Sequence, residues 1–244
     1  MRYERKYRIE ALDLESVFGA IRDHALSFRT LYPDRQVNNI YLDTQDLSFF
    51  RENLAGIAQR RKYRIRWYGE DIENLTNPIL EMKLKDTELG TKIMAKLEDF
   101  SISNYAAVQK AINTELRSLT HGEKAKDLPP VTSLEKVPES AAAVLRRPHP
   151  IQSLHPSLIN TYLRSYFISY DGKFRLTVDR HMRFHRLDQR FAPYRNYAED
   201  DAIVVEVKYE QELDIEYDRV GQHLPFRLTK NSKYVNGVMM IGNA

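Results

Sequence analysis

The chain is dominated by short runs in which apolar and charged residues alternate, the period of a strand with one face buried. Strand-like runs, most of them alternating in this way, cover Arg2 to Glu10, Val37 to Asp43, Ala58 to Tyr68, Ile79 to Asp86, Thr91 to Leu97, Asn160 to Tyr170, Lys173 to Asp179 and Ala202 to Tyr209. About eight strands at hairpin-compatible spacing fit a closed antiparallel barrel or a sandwich. Helical periodicity appears where Asp13 offers an N-cap to Leu14, Val17, Phe18, Ile21 and Ala25. It appears again from Asn104 to Leu119, with Ala107, Val108, Ala111, Ile112 and Leu116 on one face. A helical turn is expected through Asp46 to Phe50, and a short helix over Ala141 to Leu145 within the Pro-containing stretch that runs to about His155. The pattern predicts one α+β domain over residues 1–244, with a helical insertion at about 104–155.

Parity along the strands carries the functional argument. Arg60, Lys62, Arg64 and Arg66 share one face, while Arg61, Tyr63, Ile65 and Trp67 supply a mostly apolar opposite face. The same alternation places Glu81, Lys83 and Lys85, then Lys92 and Lys96, then Arg175, then Glu206 and Lys208 on charged faces. A solvated outer face is the commonest fate of an alternating strand. Like charges at this density repel one another, however, and call for an anion against them. With helices over the apolar faces, the charged faces would line an eight-stranded antiparallel β-tunnel with a basic interior. Unpaired cations there cost several kcal/mol each, so the interior would be wet, ion-paired or filled by a polyanion. Arginine forks mixed with lysine point charges suit a linear phosphate chain, either ATP or another triphosphate, or polyphosphate. Glu206 is the favoured ligand for Mg²⁺ or Mn²⁺, because a phosphate-bound ion needs only one or two carboxylates; Glu4 and Glu81 read equally well as ion-pair partners.

Composition narrows the alternatives. The 244 residues carry no cysteine, which excludes disulfides, thiolate metal sites and thiol nucleophiles. A net charge of +3 advertises no nucleic-acid partner. Single-stranded RNA binding on Tyr63, Trp67 and Tyr68 is disfavoured because these aromatics fall mostly on the face opposite the cations. His181 and His185 are spaced like metal ligands on a helix, but the region reads as strand end or loop, and Tyr194 to Tyr197 reads as a loop. No run approaches the roughly 20 apolar residues of a spanning helix, and no signal core follows Met1, so the expectation is a soluble, cytoplasmic chain.

The ordered segments Glu4-Arg5-Lys6-Tyr7, Ile40-Tyr41-Leu42-Asp43-Thr44, Arg64-Ile65-Arg66-Trp67-Tyr68, Leu80-Glu81-Met82-Lys83, Tyr162-Leu163-Arg164, Phe174-Arg175-Leu176, Val205-Glu206-Val207-Lys208 and Lys230-Asn231-Ser232-Lys233-Tyr234 resemble the triphosphate tunnel metalloenzymes. Within that superfamily they resemble the VTC polyphosphate polymerase domain. The resemblance implies an eight-stranded tunnel making polyphosphate from ATP, with triphosphate hydrolysis or binding alone as alternatives. It implies phosphate contacts from Lys6, Arg64, Arg66, Lys83, Lys96, Arg164, Arg175, Lys230 and Lys233, with Lys92 an alternative to Lys96, and metal binding by Glu206. Lys62 and Lys208 join the phosphate-binding set by parity; Ser232 and Tyr234 could add neutral hydrogen bonds, or Tyr234 could pack. The first strand reads Glu4-x-Lys6-x-Arg8 where the related CYTH pattern has Glu-x-Glu-x-Lys, which favours the VTC branch. The branch's eukaryotic polymerases carry membrane helices, which leaves room for a separate membrane partner.

Overall fold

A computed structural model of the chain describes residues 2–86, 89–104, 109–110, 154–187 and 197–242. The elements in order are β1 (Arg2–Ile9), α1 (Leu14–Arg22), β2 (Arg29–Asp43), α2 (Ser48–Leu54), β3 (Gln59–Tyr68), β4 (Asn74–Leu75), β5 (Ile79–Asp86), β6 (Leu89–Lys96), β7 (Phe100–Ser101), β8 (His155–Ile168), β9 (Arg175–Arg186), β10 (Tyr197–Asp200), β11 (Ile203–Glu210), α3 (Asp218–Gly221) and α4 (Lys233–Met240). They belong to two compact units. The first is Met1–Gln36, Thr161–Arg183 and Glu199–Ser232; the second is Val37–Asn160, Phe184–Ala198 and Lys233–Ala244.

In the first unit β1 pairs antiparallel with β11, and β11 with β9. Their odd-numbered apolar positions on β1 and β11 meet the even-numbered ones on β9, so Tyr7, Ile9, Val205, Val207, Leu176 and Val178 share one core. Helix α1 covers that core with Val17 and Ile21, both fully buried. It begins where the sequence places it: the Asp13 carboxylate accepts a hydrogen bond from the Ser16 amide at 2.7 Å, satisfying one of the orphan donors of the first turn.

In the second unit β2, β3, β5 and β6 pair consecutively, each antiparallel to the next. Ile65, Trp67, Leu80, Met82, Leu84, Ile93 and Ala95 form its core on one face of the sheet, with Phe49 of α2 packed in. Arg61 falls on that face too, and its guanidinium lies over the Phe49 ring, 5.3 Å from the centroid. That contact lets a cation sit among apolar neighbours.

The antiparallel architecture expected from the alternation is present, with few helices among the described residues, and neither unit's sheet is by itself closed into a barrel. The strands run longer than the sequence suggests in places. β2 starts at Arg29 rather than Val37, because its first half is polar and exposed and shows no alternation. The expected helix over Asn104 to Leu119 and the short one over Ala141 to Leu145 lie almost wholly outside the described residues. No helix among the described residues is long and apolar enough to cross a membrane.

Gly237 in α4 shows how tightly the second unit packs. A Cβ there would stand 2.4 Å from Phe184 Cδ1 and 2.6 Å from Leu158 Cδ2. Gly→Ala inside a helix ordinarily stabilises by about 0.5–1 kcal/mol. Here overpacking reverses the sign, and Gly237→Ala is expected to lower stability by about 1–3 kcal/mol in chemical denaturation.

Candidate functional site

The face of the second unit opposite its core is strongly cationic. Register places Lys62 opposite Lys83 and Lys83 opposite Lys92, so three lysines form one row across β3, β5 and β6. Arg60 faces Lys85 in the next row of β3 and β5. On the other side of the lysine row, Arg64 faces Glu81. Glu81 is buried, and its carboxylate accepts from Arg64 Nε at 2.5 Å and from Lys92 Nζ at 2.7 Å. Arg66 Nε donates to Asn39 Oδ1 at 3.0 Å. Lys96, at the far end of β6, is exposed.

Burial alone drives the Glu81 carboxyl toward its neutral form, but Arg64, Arg66 and Lys92 overcome that and hold it well below the usual carboxylate range. Lys92 moves down, chiefly through burial, although Glu81 pulls the other way. As pH falls below the ordinary glutamate value of 4.5, the unfolded chain binds a proton before the folded one does, so the contribution of ionised Glu81 is progressively lost. Denaturation followed from pH 6 to pH 3 should therefore show acid destabilisation that is shallower in Glu81→Gln.

The first unit carries its own charged face. Lys6, Glu206 and Thr177 stand in register across β1, β11 and β9, with Glu4, Lys208 and Arg175 in the adjoining row. Glu206 lies 3.2 Å from Lys6 Nζ, 2.8 Å from Lys208 Nζ and 3.9 Å from Arg164. Arg164 is committed elsewhere: it donates to both oxygens of fully buried Asp179, at 2.5 and 2.7 Å. Burial opposes the charge on Arg164, yet Asp179 raises its pKa well above the ordinary value and fixes it as a cation. Arg8, on the same face, makes a bidentate pair with Asp200 at 2.7 and 2.8 Å. Arg175 is exposed.

The C-terminal motif is held by a side chain from far upstream. Asp43, at the end of β2, accepts from the amides of Phe49 and Phe50 at 2.9 Å and so caps α2. The same carboxylate accepts from the Tyr234 hydroxyl at 2.5 Å. Tyr234 also stacks on Tyr41, with centroids 4.9 Å apart, so it packs and anchors α4, of which Lys233 is the first residue. Lys230 is exposed and Ser232 half-buried. Between them, the Asn231 carbonyl accepts from Lys6 Nζ at 3.3 Å.

The candidate residues expected from parity fall on two charged strand faces, and the sequence did not reveal the groups they pair with there. The pairing roles of Asp179, Asn39 and Asp43 were not foreseen, although Asp179 has the same parity as Arg175 and its role could have been found from it. His185, considered as a metal ligand, is buried in β9 with its ring 5.3 Å from that of Tyr197.

Among the described residues no three His, Cys, Asp or Glu side chains cluster as a preformed metal cage. Glu206 is a hard oxygen donor, which fits an ion that takes most of its ligands from phosphate and water.

No curated protein sequence matches the chain. Among solved structures, a candidate adenylate cyclase from Bacillus halodurans is 13% identical, with 95% of this chain and 94% of that chain covered at a TM-score of 0.50. One from Vibrio parahaemolyticus is 11% identical over 96% of this chain and 97% of that chain, with a TM-score of 0.48. A candidate adenylyl cyclase from Hippeastrum with a dominant triphosphatase activity is 13% identical over 98% and 96%, with a TM-score of 0.46. At such identity the Bacillus likeness bears on fold alone. A family profile for the VTC domain matches residues 1–241. Nearly the whole chain is covered by that match, and the protein belongs to the VTC domain family.

Proposed function

We propose that this protein binds a nucleoside triphosphate or polyphosphate along its cationic faces and transfers phosphoryl groups, with synthesis of polyphosphate from ATP as the specific reaction. The observation that carries the reading is the row Lys62, Lys83 and Lys92 beside Arg64 and Arg66. Like charges opposite one another destabilise a sheet, and a linear polyanion turns that repulsion into binding. The finer architecture, an eight-stranded tunnel with a basic interior, is part of the proposal and is supported by antiparallel strands that each bear one charged and one apolar face.

In this reading Arg64, Arg66, Lys62, Lys83, Lys92 and Lys96 align phosphates on one face, and Lys6, Lys208, Arg175, Lys230, Ser232 and Lys233 are the remaining candidates. Arg164, clamped by Asp179, supplies a fixed positive charge. A terminal phosphate oxygen attacks the γ-phosphorus in line; the new P–O bond forms as the bond to the β-phosphate oxygen breaks and the diphosphate leaves. The nucleophile is already anionic, so no general base is required, and positioning carries most of the catalysis. Mg²⁺ or Mn²⁺, held by Glu206 with phosphate oxygens, would neutralise charge developing on the leaving group.

A second reading, binding without catalysis, has one specific observation in its favour: Glu206 is already paired with Lys6 and Lys208. Purified protein incubated with ATP and Mn²⁺ or Mg²⁺ decides between them when free phosphate and long-chain polyphosphate are both followed. Polyphosphate that disappears in Glu206→Gln and Arg64→Ala is the expected result. Free phosphate alone would indicate a triphosphatase. Tight, Arg64-dependent binding with no turnover would leave a binding module.

A further inference from the structure

Thr177 lies on β9 directly opposite Glu206, and Glu206 directly opposite Lys6. Its neighbours in sequence, Leu176 and Val178, belong to the core of the first unit, so Thr177 itself points to the charged face. It is 7% exposed, and its hydroxyl has no hydrogen-bond partner among the described residues. A buried hydroxyl left unpaired is destabilising, a penalty that valine, its close isostere, would not incur. The carboxylate opposite does not relieve it: Glu206 pairs with Lys6 and Lys208 and accepts nothing from Thr177. Arg175 on β9 and Lys208 opposite it form the adjoining row on the same face, so an oxygen that could both donate and accept stands beside cations, a setting into which an anion with acceptor oxygens fits.

We infer that the Thr177 hydroxyl is a phosphate ligand, donating a hydrogen bond to a non-bridging oxygen of the bound chain beside Lys6 and Lys208. The inference rests on the proposed phosphate binding, and extends it to a neutral donor with a role distinct from that of the cations. A lysine attracts any anion at its position, whereas a hydroxyl in a fixed rotamer requires an acceptor at hydrogen-bond distance and so selects the register of the phosphate chain.

The test is calorimetric titration of inorganic tripolyphosphate, without metal, into the wild type, Thr177→Val and Thr177→Ser, with thermal unfolding of each ligand-free protein. The expected result is about a tenfold weaker affinity in Thr177→Val, the loss of one hydrogen bond to a charged group, with Thr177→Ser close to wild type. Ligand-free Thr177→Val should unfold at or above the wild-type temperature, since it loses an unpaired hydroxyl. Equal affinity in wild type and Thr177→Val would overturn the inference while leaving phosphate binding intact. A lower melting temperature of ligand-free Thr177→Val would overturn it too, because the hydroxyl would then serve the fold. Failure of the wild type to bind tripolyphosphate would remove the proposed function itself and this inference with it.

Discussion

Asp179→Ala is expected to destabilise the protein by about 3–5 kcal/mol, the loss seen when one member of a buried ion pair is removed and its partner stays charged. The size follows from the geometry. Asp179 is fully buried, both of its oxygens accept from Arg164, and Arg164 itself is 7% exposed. No water-facing rotamer is on offer to a guanidinium so enclosed. Glu206, 3.9 Å from Arg164, is an alternative carboxylate, but it already pairs with Lys6 and Lys208. Chemical denaturation at neutral pH measures the loss, and Asp179→Asn should recover little of it because an amide restores shape without charge. A change below about 1 kcal/mol would mean that the pair is solvated, and that Arg164 is a mobile phosphate ligand rather than a fixed positive charge.

The second large effect is on binding. Replacing Lys62 and Lys83 together by methionine should weaken tripolyphosphate affinity about 100-fold, from two charge-assisted contacts of about 1.5 kcal/mol each. The ligand-free double variant should keep a cooperative unfolding transition. Its lysine stems become apolar chains of similar length, and the row across β3, β5 and β6 loses repulsion. Titrations at one fixed ionic strength separate this local effect from general screening. An affinity unchanged by the double substitution would place the phosphate chain elsewhere.

Parity explains why so much of this was legible before any coordinates. In β3 the alternation Lys62, Tyr63, Arg64, Ile65, Arg66, Trp67 fixes which side each residue takes, and the structure divides them accordingly between charged face and core. The N-cap of α1 was equally readable, because Asp13 acts on an amide three residues away. Three-strand rows were not. That Lys62, Lys83 and Lys92 align depends on the register of two hairpins, and a shift of one residue in either would dissolve the row. Partners far apart in sequence were hidden for a similar reason. Asp43 and Tyr234 are separated by 191 positions, and nothing local to either marks the hydrogen bond between them. Tyr234 thus turns out to be an anchor for α4, one of the two roles its motif allowed. The covering helix expected over Asn104 to Leu119 lies almost wholly outside the described residues.

Binding of a linear chain of phosphates by the cationic faces is tested by comparing orthophosphate, pyrophosphate and tripolyphosphate in calorimetric titration at one ionic strength. Affinity should rise steeply with each added phosphate, because successive charges meet successive Arg and Lys side chains. Equal, weak affinity for all three, or none, would contradict it and return the charged faces to the role of ordinary solvated surface.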